Sequence, residues 1–290
     1  MLASPLPGWI MRPMTNSSFL GLPHKTVSAD SPAPGVARLT LDRPKAMNAY
    51  SFVMTRELLV GIAAFRDDDA LKVLIITGSG NRAFCTGGDL SGEDPEHHSW
   101  VATAPMGHGR EMREGMQAVV LALARLDKPS IAMIRGYAVA GGLTLALACD
   151  FRLAAASARL GDTSNKVGLL PDEGGAWLFP RAMGHDKALK MVLLSEIYPA
   201  DEAERLGLVT EVVPDDALES RTLEFAAALA SRAPLAVRLS KLMLARAATL
   251  SLEESLTDAQ MAVMITNPSA DVREGVQAFF EKRPPRFEGK

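Results

Sequence analysis

The 290-residue chain contains only two cysteines, Cys85 and Cys149, too few for a disulfide framework. Both stand in apolar sequence, so reduced, packed thiols are expected. No apolar run approaches the roughly 20 residues of a membrane span, and no membrane partner is expected. With 31 basic and 34 acidic side chains, a formal net charge of −3, the chain has no basic excess to draw it to nucleic acid. It has neither GxGxxG nor a Walker-type loop, which removes the usual nucleotide-phosphate cradles. HExxH is also absent, so no metal site is expected. His97, His98 and His108 read as solvated loop residues. Residues 1–25 are rich in Pro, Ser and Gly and lack a basic segment followed by an apolar run. They read as a loose extension rather than a signal peptide, with Met11 and Met14 as alternative starts, and a cytoplasmic location is expected.

The remaining composition is globular, 48% hydrophobic and 22% charged. "VARLTLDRP" (36–44) alternates apolar and polar residues and reads as a strand. A helix follows over the stretch after Ala49, with Ser51 placed to cap it. "LKVLIITGSG" and "KPSIAMIRGYAVA" read as buried strands, and 109–126 between them as one amphipathic helix. Beyond Pro180 the pattern is almost entirely helical. Strands and helices first, helices alone later, predict an α/β core with a helical C-terminal part. The expected parts are 26–205 and 206–290, with the boundary near 198–214.

Two stretches share one plan: a buried strand, a loop with paired glycines, then a helix start. They are "LIITGSGNRAFCTGGDL" and "IAMIRGYAVAGGLTLA". Glycine serves where backbone must approach closely or adopt φ > 0. Amides at a helix start lack internal partners and can donate to an anion or a polarised oxygen. Two such amides facing each other would form an oxyanion hole. The same glycines would equally serve tight turns and close packing.

"LTLDRPKAMNAY", "AFCTGGDL", "GYAVAGGLTLALACD", "VGLLPDEGGAWLFPRAMG" and "EGVQAFFEKRPPRF" stand in the order and at the spacing of the crotonase (enoyl-CoA hydratase/isomerase) superfamily. The resemblance covers about residues 36–287. It implies a core of ββα units in a spiral, a helical C-terminal subdomain, and a homotrimer or dimer of trimers. It also implies acyl-CoA thioester substrates, with coenzyme A as part of the substrate and no separate cofactor. By the same resemblance the oxyanion-hole amides are those of Gly88 and Gly141. Asp89 and Leu90 would follow the first amide beside the substrate. Phe279 and Lys282, with Arg43, Lys45 and Ala46 of the "RPKAMN" turn, would help hold the CoA nucleotide, partly across a subunit boundary. Charge pairing with phosphate gives the basic residues a reason, although basic residues also suit a helix C-terminus.

The sequence departs from the family where hydration chemistry resides. The two glutamates that activate water in family hydratases correspond here to Thr144 and Ser164, and a hydroxyl is too weak a base near neutral pH. Four other acids stand near the motifs. Asp89 reads chiefly as a helix cap. Asp162, two residues before Ser164, either reaches the pocket or points elsewhere. Asp172 matches a working aspartate in family members that shift double bonds, though a solvated turn acid capping a helix near Ala176 is the alternative. Glu173 is the weaker candidate. The stretch after Gly88, containing Glu93, Asp94, Trp100 and Met106, reads as the wall of an acyl pocket, with Trp100 and Met106 lining it. The expected function is a double-bond isomerase using Asp172 as acid/base, aided by Asp162 or Glu173; the alternatives are a hydratase with a non-standard base and a silent acyl-CoA binder.

Overall fold

The computed structural model describes residues 19–22, 25–91 and 106–290. Ten strands run through the described residues. The first five are Val27–Ala33 (β1), Val36–Leu41 (β2), Val73–Gly78 (β3), Ala83–Cys85 (β4) and Ser130–Ile134 (β5). Tyr137–Val139 (β6), Phe151–Ala155 (β7), Arg159–Gly161 (β8), Ile197–Pro199 (β9) and Glu211–Val213 (β10) complete them. The helices are Phe52–Asp67 (α1), Gly107–Glu114 (α2), Met116–Ala124 (α3), Gly141–Ala148 (α4), Gly175–Met183 (α5) and His185–Leu194 (α6). After them come Ala200–Arg205 (α7), Leu218–Ala230 (α8), Pro234–Ala247 (α9), Leu252–Thr266 (α10) and Ala270–Glu281 (α11).

Two sheets form, one ordered β1-β2-β3-β5-β7-β10 and the other β4-β6-β8-β9. From β3 to β8 successive strands alternate between them. β3, β5 and β7 lie side by side and parallel in the first, while β4, β6 and β8 do so in the second. Helix α1 follows β1–β2, α2–α3 follow β3–β4 and α4 follows β5–β6, so the chain winds as a spiral of ββα units. The large sheet is buried on both faces, which explains its near-continuous apolar strands. Ile75, Ile131 and Leu153 pack on one face with Leu218 and Ala226 of α8. Leu74, Ile76, Ala132 and Ala154 face the other way into the main core.

The structure corrects several expectations. The predicted strand 128–140 is two strands in different sheets, broken at Gly136. There φ is +66° and a Cβ would stand 2.1 Å from the Arg82 carbonyl oxygen. The single helix expected over 109–126 is interrupted at Gly115, where ψ is −118°. β1 was not anticipated, because "VSADSPA" has weak alternation and a proline. The region beyond Pro180 is not wholly helical: it contains β9 and β10, and Pro180 lies within α5. β10 pairs with β7 and α8 packs on the large sheet, so residues 206–230 belong to the core packing. Helices α9 to α11 bury little, although Arg238 and Lys241 of α9 are bonded to Asp127, Lys128 and Asp150 of the core. α9 buries no residue and α10 only Ala262, while Met264, Phe279 and Phe280 are exposed.

Candidate active site

The site grows from three loops that the spiral brings together. In the first, Tyr50 donates its amide to the Gly87 carbonyl (2.8 Å) and accepts from the Asp89 amide (3.0 Å). This isolated parallel bridge pairs Tyr50 with Gly88 but uses neither polar group of Gly88 itself. Arg43 and Asn48 brace the loop. Buried Asn48 accepts from the Arg43 amide and donates to the Ser79 and Ala83 carbonyls. Arg43 donates to the Ala49 carbonyl (2.7 Å) and to Asp89 (2.6 Å).

In the second loop, Ala140 takes φ +51° and ψ −129°, an uncommon conformation for a residue with a side chain. The turn starts α4 at Gly141, whose amide is at the unpaired end of a buried helix. The two glycine loops touch, since a Cβ on Gly87 would lie 3.3 Å from the Gly141 nitrogen. Gly142 is tighter still: its Cβ would come within 2.1 Å of the Cys85 carbonyl oxygen.

The third loop, Pro171–Gly174, leads into α5 and brings Glu173 to the glycines. A Cβ on Gly141 would stand 2.3 Å from Glu173 Oε1 and 2.8 Å from the Tyr50 hydroxyl. The Tyr50 hydroxyl donates to Glu173 Oε1. Glu173 is 7% exposed, and its Oε2 has no hydrogen-bond partner among the described residues. Burial raises the Glu173 pKa, as do the charges of Asp172 and Asp162, against the lowering effect of the Tyr50 hydrogen bond. Burial first, then the Glu173 carboxylate, push the Tyr50 phenol well above its ordinary value. The phenol is therefore a neutral donor.

A cavity of about 530 Å³ opens beside these groups, walled in part by Tyr50, Gly88, Met116, Ser164, Asp172 and Glu173. Asp89 and Leu90 also line it. Asp89 does not cap a helix within the described residues; it accepts from the Ser91 amide and pairs with Arg43. Burial opposes its charge, but these hydrogen bonds outweigh burial and hold the carboxyl below its usual range. Thr144 is fully buried behind the described wall, its methyl group 3.8 Å from where a Gly174 Cβ would be. Its hydroxyl has no partner among the described residues. Ser164 lies on the wall, and both its amide and its hydroxyl engage Asp162. Asp162 is thus turned into its own turn, with its pKa raised by burial despite those bonds.

Asp172 and Glu173 separate in a way their adjacency hides. Asp172 is exposed on the wall, while Glu173 is buried at the glycines. Lys45 is exposed and Ala46 half-buried in the short 3-10 turn Pro44–Ala46, away from the described wall. Arg43 is committed to Asp89 and Ala49 rather than open to phosphate. Phe279 and Lys282 lie on and just after α11, away from the described wall of this cavity. Met106 is exposed and does not line it. His97, His98, Glu93, Asp94 and Trp100 lie outside the described residues. Among the described residues no group of three or more His, Cys, Asp or Glu is placed to hold a metal ion. Tyr50 is the residue that sequence reasoning missed. It stands in the quoted "NAY" beside the Ser51 cap, but nothing local connects it to Glu173, 123 residues away.

Two interleaved parallel sheets wound from ββα units are the crotonase fold. An enoyl-CoA hydratase structure from Bacillus anthracis superposes with TM-score 0.85 at 32% identity, covering 92% of this chain and 100% of that one. The enoyl-CoA hydratase/isomerase family model matches residues 32–290, and the chain belongs to that family. It is 37% identical to an (E)-benzylidenesuccinyl-CoA hydratase of Thauera aromatica, over 88% of this chain and 96% of the relative. It is 35% identical to a 1,2-epoxyphenylacetyl-CoA isomerase of Escherichia coli, over the same shares. The relatives' names divide between hydration and isomerisation, so the choice of reaction falls to the site residues.

Proposed function

We propose that this protein is an acyl-CoA double-bond isomerase, with Glu173 and Asp172 as its acid/base carboxylates. The observation that carries this reading is the buried Glu173 carboxylate, whose Oε1 stands beside Gly141 and whose Oε2 is unpartnered among the described residues, while both hydratase positions hold hydroxyls. The thioester oxygen lies between the amides of Gly88 and Gly141, where each donor contributes about 3 kcal/mol to stabilising developing charge. Glu173 Oε2 takes a proton from the α-carbon of a 3-enoyl thioester, and the C–H electron pair moves through C1 onto the oxygen. A proton returns at the γ-carbon, the carbonyl reforms, and the double bond lies between C2 and C3. Exposed Asp172 is the second carboxylate, through which that proton exchanges with solvent. The likeness to an isomerase acting on a CoA thioester supports this reading.

The exposed apolar residues of α9 to α11 support a homo-oligomer, a trimer or dimer of trimers. In that assembly Phe279 and Lys282 would meet the CoA nucleotide at a subunit boundary. Coenzyme A enters as part of the substrate, with no separate cofactor. Cys85 and Cys149 are buried free thiols, each with its pKa pushed by burial to about 12, which suits a reducing, cytoplasmic setting.

The test is turnover in ordinary water and D₂O on crotonyl-CoA and 3-enoyl-CoA substrates. Conversion of 3-enoyl to 2-enoyl thioester is expected, with Glu173→Gln losing at least about a hundredfold. Asp172→Asn should lower deuterium incorporation more than turnover. Brisk hydration of crotonyl-CoA unaffected by either change would overturn the reading in favour of a hydratase with another base. Thioester binding without proton exchange would leave a silent binder.

A further inference from the structure

Tyr50 has no part in the chemistry assigned above, yet its phenol stands where all three loops meet. Its backbone is tied to Gly87 and Asp89 on both sides of Gly88. Its hydroxyl lies 2.8 Å from a Cβ position on Gly141 and 3.5 Å from one on Gly88. That hydroxyl donates to Glu173 Oε1. We propose that Tyr50 is a positioning residue that fixes Glu173 through Oε1, leaving Oε2 as the atom that moves the proton. The inference rests on the isomerase reading and assigns its geometry.

A free glutamate rotates between two equivalent oxygens, and only one rotamer would present a lone pair to the α-carbon. The phenol removes that equivalence. One oxygen is held by a buried donor, and the other is buried without a partner among the described residues. The donor favours the ionised carboxylate and so offsets part of the burial that raises the Glu173 pKa. When Oε2 takes the proton, Oε1 becomes the carbonyl oxygen of the acid and still accepts from Tyr50, so the carboxyl need not turn during the cycle. The groups facing Glu173 are Tyr50 from the segment before α1, Asp162 after β8, neighbouring Asp172 and the Cys85 thiol of β4. Asp89, His108, Glu111 and Lys166 are the remaining charged or titratable groups of the described cavity wall.

The experiment compares Tyr50→Phe, Glu173→Gln, the double variant and Tyr50→3-fluorotyrosine by 3-enoyl-CoA isomerisation across pH. Thermal melts establish that each variant is folded. Tyr50→Phe should lower kcat by about tenfold to a hundredfold, with KM nearly unchanged. Loss of the hydrogen bond raises the pKa of the base, so the acidic limb of kcat/KM should move to higher pH. The more acidic fluorinated phenol is the stronger donor and should move it to lower pH. The double variant should be no worse than Glu173→Gln, because both changes act through one carboxylate. If Glu173→Gln abolishes turnover while the limb stays unmoved by either tyrosine change, the positioning role is refuted and the isomerase reading stands. Additive losses in the double variant refute it equally. Should Glu173→Gln retain turnover, the underlying reading itself fails. Were Tyr50→Phe unable to fold, the fluorotyrosine shift decides alone.

Discussion

Gly141 and Gly142 are adjacent, yet they forbid a side chain for different reasons. At Gly142 the obstacle is the backbone of β4, 2.1 Å from the would-be Cβ at the Cys85 carbonyl. Gly142→Ala should therefore cost about 3 kcal/mol of stability in a denaturant titration. At Gly141 the obstacles are the ends of two side chains, Glu173 and Tyr50, which can move aside. Gly141→Ala should keep most of its stability and lose about a hundredfold in turnover, since the acid and its phenol are displaced. Glu173 itself links function to stability. Its pKa is raised in the folded state by burial, so the folded protein holds the proton more tightly than the unfolded chain. Its contribution is full below the unfolded pKa and is lost as pH rises through the folded one. Glu173→Gln should consequently raise Tm by a few degrees at neutral pH and flatten the pH dependence of Tm across that window.

Among the elements, α1 matters most to the site because it starts two residues after Tyr50. Ser51 accepts from the Met54 amide and caps it. Ser51→Ala should cost about 1 kcal/mol and, by loosening the entry to the helix, reduce turnover as well; a chemical melt and a kcat measurement check the two effects separately. The cap was legible in the sequence, as were β3, β5 and the glycine-rich start of α4, because short apolar runs ending at glycines leave few alternatives. The breaks were less legible. Gly115 sits inside an amphipathic run, and Gly136 inside an apolar one. In each case the local period continues while the chain turns; at Gly136 what forces the turn is the carbonyl of Arg82, the residue just before β4.

For the whole molecule, the spiral core buries both faces of its large sheet, but α9 to α11 leave apolar side chains uncovered. Met264 is 71% exposed and Phe280 is 76% exposed. Patches of this kind mark association surfaces. Analytical ultracentrifugation should find the wild type as an oligomer and Met264→Asp/Phe280→Asp as a lower-mass species. A single-chain mass for the wild type would contradict the assembly.

Sequence alone determined the class of this protein. Five separated motifs in order specify the crotonase-type chain, and Thr144 and Ser164 are hydroxyls where the resemblance would place glutamates. These are properties of residue type and spacing, and they can be read without a fold. Which carboxylate meets the glycines was decided only in three dimensions. Asp172 and Glu173 share a turn, so the sequence cannot say which is turned inward; the start of α5 exposes the first and buries the second. Tyr50 joins them for the same reason. Its partner is remote along the chain and near only because the parallel strands carry successive loops to one end of the spiral.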